Sequence, residues 1–459
     1  MTLALALTLA MALGAAVGVD MPATTPGQLE GRPSPADASP LQALVDNAAN
    51  GATIEVGPGE YAGDLLIDHP LRLVGHGRPR LVGSGAGSVV RVRAADVVLE
   101  GFDIDGRGGG DLGRDSAGVH VSTPRVTVRD CRIANTLFGI YLRAADGARV
   151  ARNVIRGIKD KSPGEKGSGI HVWNTDGFLL VDNELVDVRD GFYIQSSSHG
   201  YIRGNRAHDL RYGVHYMYSD DNVFEDNVFA DSVAATVLMY SRHITFRRNR
   251  LLHNRGFASV GILFKACDDS LAEDNLVADN ARGIFLEGSY RDVFRRNVVA
   301  DSDTAIMLYD SCGDVRFAGN SFVGNLTSLT LVGKRTDTSF DGNYWSDNDE
   351  PDLDGDGVSD RPYVLGNLFD HFRGNLTAAD LLAQSLAAAA LARAERSFPV
   401  LEPIRAVDHA PLVRAPSLPL VPRPEPARRG SHRAALASAL AALFVGITVV
   451  AGGRRRGDT

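Results

Sequence analysis

Two tripeptides, Met217-Tyr218-Ser219 and Met239-Tyr240-Ser241, stand 22 residues apart, and His215 precedes the first methionine by two positions. Thioether and imidazole together make a soft ligand set, of the kind that selects Cu(I) over harder divalent ions. Two thioethers and one imidazole hold such an ion weakly enough to pass it on. His171 is a candidate outer ligand. Any one of these side chains reads more simply as packed under a loop or a partner, and the cluster leaves both readings open.

A second constellation is acidic. Asp352, Asp354, Asp356, the carbonyl of Val358 and Asp360 fall at positions 1, 3, 5, 7 and 9 of a calcium loop, with Gly357 at position 6. Position 12 is Tyr363 rather than Glu, so the spacing predicts either a weak calcium site, completed by a carboxylate such as Asp347 or Asp349, or an acidic solvated turn. Sugar hydrolysis needs two carboxylates facing one cleft. Among the outward positions read below, only Glu287 qualifies, with Asp310 beyond its strand. Asp187, Asp209, Asp231, Asp279 and Asp301 recur at one place in the repeat, as turn residues do. The chain therefore reads as a non-enzyme. Because Trp173, Tyr141 and Tyr193 are able to stack on sugars, a membrane-tethered polysaccharide-binding or polysaccharide-cleaving protein is the alternative.

What positions these residues is a repeat. A small residue followed by an apolar one recurs at 118, 139, 169, 191, 213, 235, 261, 283, 305 and 328, and an Asn recurs at 153, 183, 205, 227, 249, 275, 297, 320 and 343, with Cys131 in the Asn place of the first copy. Apolar residues alternate with period 2 inside each copy, so the units are strands separated by Gly, Asp and Asn corners. Strands this short pair only with the next copy. The prediction is an all-β solenoid, a right-handed, pectate-lyase-like parallel β-helix with coils ~4.8 Å apart and a ladder of stacked Asn amides at one corner. Alternation sends His120, Tyr141, His171, Tyr193 and His215 outward in one column, and Trp173, Gln195, Met217, Met239, Lys265 and Glu287 in a second. Met217 and Met239 then lie ~5 Å apart at the backbone, and Lys265 and Glu287 form a ladder ion pair. Extra residues before Gly169 and before Gly261 fall at one corner and would wall a groove over the patch.

The whole chain is organised around that solenoid. Residues 1–20 read as a signal peptide, 41–116 as an N-terminal helical cap and irregular first coils, and 117–343 as the regular repeat. Residues 344–397 hold the acidic loop and a C-terminal capping helix, 398–433 a Pro-rich linker, and 434–453 a transmembrane helix followed by Arg454, Arg455 and Arg456. The expected location is the periplasm or the outer face of the cytoplasmic membrane, with a cytoplasmic tail. A formal charge of −8 argues against a nucleic-acid partner, and three scattered cysteines imply no disulfide framework.

Arg211-Tyr212-Gly213-Val214-His215-Tyr216-Met217-Tyr218-Ser219-Asp220-Asp221-Asn222, its echo Leu238-Met239-Tyr240-Ser241 and the tail Asp408-His409-Ala410-Pro411-Leu412 resemble the NosD family of nitrous oxide reductase maturation proteins. The resemblance implies a periplasmic partner of an ABC transporter permease and ATPase. It also implies work with a copper lipoprotein chaperone on the copper–sulfide centre of nitrous oxide reductase. A C-terminal membrane span departs from the family pattern.

Overall fold

The computed structural model describes residues 39–333, 336–365, 385, 390 and 406–416. The signal peptide expected at 1–20 and the transmembrane helix expected at 434–453 lie outside them. So does the capping helix expected over 377–396, apart from two isolated residues. No helix among the described residues is long and apolar enough to cross a membrane.

Each coil gives one short strand to each of three sheets, of 15 (sheet A), 13 (sheet B) and 12 (sheet C) strands, wound as a right-handed parallel β-solenoid of about 13 turns. The first coils, before residue 117, join the same three sheets as the regular repeat. Phe, Leu, Ile and Val columns fill the interior; Phe224, Phe246, Phe294 and Phe317 are fully buried in one sheet A column, with Ala272 between Phe246 and Phe294. The N-terminal end is closed by α1 (Pro40–Asp46), with Ser39 as its N-cap. Leu41 and Val45 enter the core, and the Gln42 amide bonds both the N–H and the carbonyl of Leu66, standing in for the strand that an exposed sheet edge lacks.

The corners carry ladders. Between sheets A and B, each Asn side-chain amide from Asn153 to Asn320 donates to the Oδ1 of the next, and also to a backbone carbonyl of an earlier coil, as Asn227 does to Asn249 (2.9 Å) and to Ile202 (2.9 Å). Cys131 heads the series, its N–H donating to Asn153 Oδ1. A second ladder between sheets C and A has short side chains as rungs: the N–H groups of Thr175, Ser197 and Ser219 donate to the hydroxyls of Ser197, Ser219 and Ser241 in turn, and that of Cys267 to Ser289. These bonds satisfy backbone groups that no sheet reaches.

The recurrent glycine is required by space rather than by a left-handed φ. At Gly213 an added Cβ would stand 2.6 Å from the Ala235 carbonyl oxygen and 3.1 Å from Phe229. That Cβ points into the core beside Val214, so two consecutive residues face inward and strict alternation breaks at every glycine. The residue before the glycine is thereby turned to the outer face.

At the other end of the solenoid, the strand Ala406–Asp408, inside the stretch read as a Pro-rich linker, pairs with sheet A and with Tyr363–Leu365.

Candidate functional site

The outer face of sheet C carries both columns in the expected register. His120, Tyr141, His171, Tyr193 and His215 are opposed in turn, as are Trp173, Gln195, Met217, Met239, Lys265 and Glu287. Lys265 and Glu287 form an ion pair of 3.0 Å. The two corner excursions lie at the edge between sheets B and C, one before the strand Ile170–Trp173 and one before Val260–Asp268. The methionine-bearing strands, Tyr212–Met217 and Ala234–Arg242, run between them. The first excursion covers part of the sheet, Ile158 packing against the cluster of Ala117, Leu137, Phe138 and Tyr141. The second leaves Phe257 81% exposed.

The first column is a stack of rings. His120 and Tyr141 lie at 5.2 Å between centroids, Tyr141 and His171 at 4.4 Å, and His171 and Tyr193 at 4.5 Å, all face to face. Tyr193 then meets His215 edge to face at 4.7 Å. These rings spend their faces on one another, and one face of Trp173 lies beneath the Arg143 guanidinium at 4.8 Å. Burial pulls the His171 imidazole down to about 3 and that of His120 to about 4, so both rings are neutral at physiological pH. His171 is not brought to the methionines: Tyr193 stands between it and His215, and two coils separate it from the strand of Met217.

Met217 and Met239 are register partners, both half-buried on the solvent side, with His215 two residues from Met217 on the same strand. The Tyr193 hydroxyl lies 3.9 Å from the Met217 sulfur, and Met239 packs on an apolar patch with Val237, Leu263 and Phe285. Thiols play no part on this surface. Cys131, Cys267 and Cys312 are free and buried, and burial pushes the Cys131 thiol up to about 12 and that of Cys267 well above its ordinary value. The thiolate that binds a soft metal is therefore closed off, which leaves thioether and imidazole.

Sequence reasoning missed Asp190 and Arg211. Asp190 sits immediately before Gly191, where the break in alternation turns it outward. It is fully buried on that face, held by Arg211 through Nε (2.8 Å) and Nη2 (2.6 Å), with Arg189 Nε at 3.3 Å and His215 Nδ1 at 3.6 Å. Burial would raise its carboxyl, but the His215 imidazole and the Arg211 guanidinium hold it well below the usual carboxylate range. The signal was a charged residue directly before the repeat glycine in Arg189-Asp190-Gly191, together with an arginine two places before the glycine there and again in Arg211-Tyr212-Gly213.

The acidic loop brings Asp352, Asp354 and Asp356 together, one oxygen of each lying within 4.8 Å of the others. Those carboxylates also brace the turn: Asp352 accepts from the N–H groups of Gly355 (2.7 Å) and Gly357 (3.0 Å), and Asp356 from that of Val358 (2.7 Å). Asp360 accepts from the N–H of Leu353 at 2.6 Å. Tyr363, at position 12, stacks on Trp345 at 5.0 Å and donates to Asp347, so it supplies no bidentate carboxylate there.

Comparison with known proteins agrees with the fold and with the family resemblance. Residues 156–374 match the family model described as periplasmic copper-binding protein (NosD). A relative from Pseudomonas aeruginosa, named probable ABC transporter binding protein NosD, is 31% identical over 418 residues, 87% of this chain and 95% of its own length. A protein of the same name from Stutzerimonas stutzeri is 29% identical over 379 residues, 78% of this chain and 86% of its own. Among solved structures, the A-modules of the Azotobacter vinelandii mannuronan C-5 epimerases AlgE6 and AlgE4 superpose with TM-scores of 0.56 and 0.54. They cover 65% of this chain and 93% and 94% of their own, at 15% and 14% identity, a likeness of fold alone.

Proposed function

The chain belongs to the NosD family, and from that membership we propose that it receives Cu(I) at the outer face of sheet C and passes it on during maturation of the copper–sulfide centre of nitrous oxide reductase. The observation that carries the reading is the register pairing of Met217 with Met239, beside His215, on a surface from which every cysteine is withdrawn. A pair of thioethers with one imidazole suits a monovalent soft ion that must be released again. The role is accessory rather than catalytic. Its partners are an ABC transporter permease and ATPase, a copper lipoprotein chaperone that delivers the ion, and the reductase itself. The protein works in the periplasm or on the outer face of the cytoplasmic membrane, held there by the segment 434–453. Calcium at Asp352, Asp354, Asp356, Val358 and Asp360 is a separate, structural proposal.

Met217→Leu combined with Met239→Leu keeps volume and apolarity, so folding survives. In cells lacking the native protein, this double variant at normal abundance yields reductase depleted of copper. Fully loaded reductase from the same cells would show that the ion travels by another surface.

A further inference from the structure

A carboxylate with no exposed surface is costly unless it is paired and hydrogen-bonded, and three side chains bring donors to Asp190: two bonds from Arg211, one approach from Arg189, and the Nδ1 edge of His215. The imidazole is fixed in orientation. Tyr193 and Tyr212 meet it edge to face at 4.7 and 5.5 Å, and a ring clamped in this way does not turn over to exchange its two nitrogens. The Arg211 guanidinium in turn lies over the Tyr212 ring at 4.4 Å. The Nδ1 edge faces Asp190 and Arg211, which leaves the opposite edge, carrying Nε2, directed away from both.

We infer that Asp190, clamped by Arg211, is a positioning residue that sets His215 as the Nδ1–H tautomer and leaves Nε2 as the nitrogen offered to the ion. The inference rests on the copper reading of the patch. Two arrangements compete at Nδ1. In one, its lone pair accepts from Arg211 Nη2 at 3.5 Å, the proton sits on Nε2, and the ring is closed to metal. In the other, Nδ1–H faces the buried carboxylate at 3.6 Å and Nε2 is bare. The shorter contacts of Arg211, 2.6 and 2.8 Å, are both with Asp190, and its approach to Nδ1 is the long one at 3.5 Å; the desolvated anion favours one more proton turned towards it. A carboxylate behind a ligating imidazole also fixes its direction and raises its basicity, and losing it typically costs 10- to 100-fold in metal affinity.

Nitrogen-15 NMR of the histidine side chains in the full-length, copper-free protein tests this, with the His215 signals assigned by their loss in His215→Gln. The expected result is a proton on Nδ1 and a bare Nε2; a proton on Nε2 overturns the inference. A second arm titrates Cu(I) itself into Asp190→Asn, where affinity falls about 10- to 100-fold. Wild-type affinity in that variant also overturns it. If the native protein takes up no Cu(I), the copper reading fails while the tautomer measurement still decides what Asp190 does. If Asp190→Asn does not fold, the native spectrum decides alone.

Discussion

Asp408 accepts a hydrogen bond of 2.9 Å from the side-chain amide of Asn343, in the place where another coil would have put the next asparagine of the ladder. The same carboxylate takes the backbone N–H groups of Asn343 (3.0 Å), Gly342 (3.1 Å) and Ala410 (3.2 Å), and the Trp345 indole N–H (3.1 Å). An acceptor with no donors of its own is a fitting last rung, because nothing follows it that needs a bond. Part of the tail that carries the family resemblance is therefore a structural stopper.

Asp408→Ala leaves those donors buried without an acceptor, and the expected loss is about 3 kcal/mol or more of unfolding free energy. Asp408→Asn keeps one oxygen and loses less. Chemical denaturation of the two variants beside the native protein reads the difference, and equal midpoints for all three would show that the ladder does not need its terminal rung.

Gly213→Ala tests the claim that the repeat glycine answers to space. The added methyl meets the Ala235 carbonyl and the Phe229 side chain, and overpacking of this kind costs about 1–3 kcal/mol. Gly177, a positive-φ residue with open space around it, is the control for crowding: substitution there strains the backbone without forcing the coils apart. Hydrogen exchange of the Tyr212–Met217 strand rises in Gly213→Ala and not in Gly177→Ala.

The repeat shows how much of this molecule was legible in its residues. Period, strand alternation, the Asn ladder and the pairing of Met217 with Met239 follow from the 22-residue spacing, because each coil must bury the same face against the next. The second ladder was equally present, as Thr175, Ser197, Ser219, Ser241, Cys267 and Ser289 at matching places, but short polar residues at corners read as turns until their bonds are seen. One residue of each Met-Tyr-Ser tripeptide is such a rung. Asp190 was hidden for a different reason. Its outward direction depends on two successive inward residues at the glycine, a feature of backbone curvature that period-2 counting does not contain.

Asp292 predicts a pH dependence. It is fully buried, accepts from the N–H of Ser270 at 2.9 Å, and has an Oδ2 without a partner. Burial pushes its carboxyl up to about 8, with Asp268 and Asp269 adding to the rise. The folded chain keeps a proton that the unfolded chain loses near its ordinary value of 3.8, so stability is greatest below that value and declines as pH rises towards about 8. Asp292→Asn carries no such charge and has an N–H to donate, as Asn222 does to the Ser197 carbonyl at the same corner. Its unfolding midpoint is flatter across that interval; a slope equal to the native one would place the pH dependence elsewhere.

Calcium is expected to raise the melting temperature of the native protein and to leave Asp354→Asn/Asp356→Asn unchanged. The loop grips the tail, Ser359 N–H donating to the Pro411 carbonyl and Val413 N–H to that of Gly357, so ordering it also secures the strand that bears Asp408. Identical melting with calcium and with chelator removes the ion from the account.

The central claim is that Met217, Met239 and His215 hold Cu(I), and the most direct measurement is an anaerobic competition titration of the purified full-length protein against a Cu(I) chelator. Met307, on the outer face opposite Phe285 rather than in the methionine pair, supplies the control. The native protein and Met307→Leu each bind one equivalent with the same affinity, and Met217→Leu/Met239→Leu binds at least tenfold more weakly. Copper uptake by the double variant equal to that of the native protein would contradict the assignment.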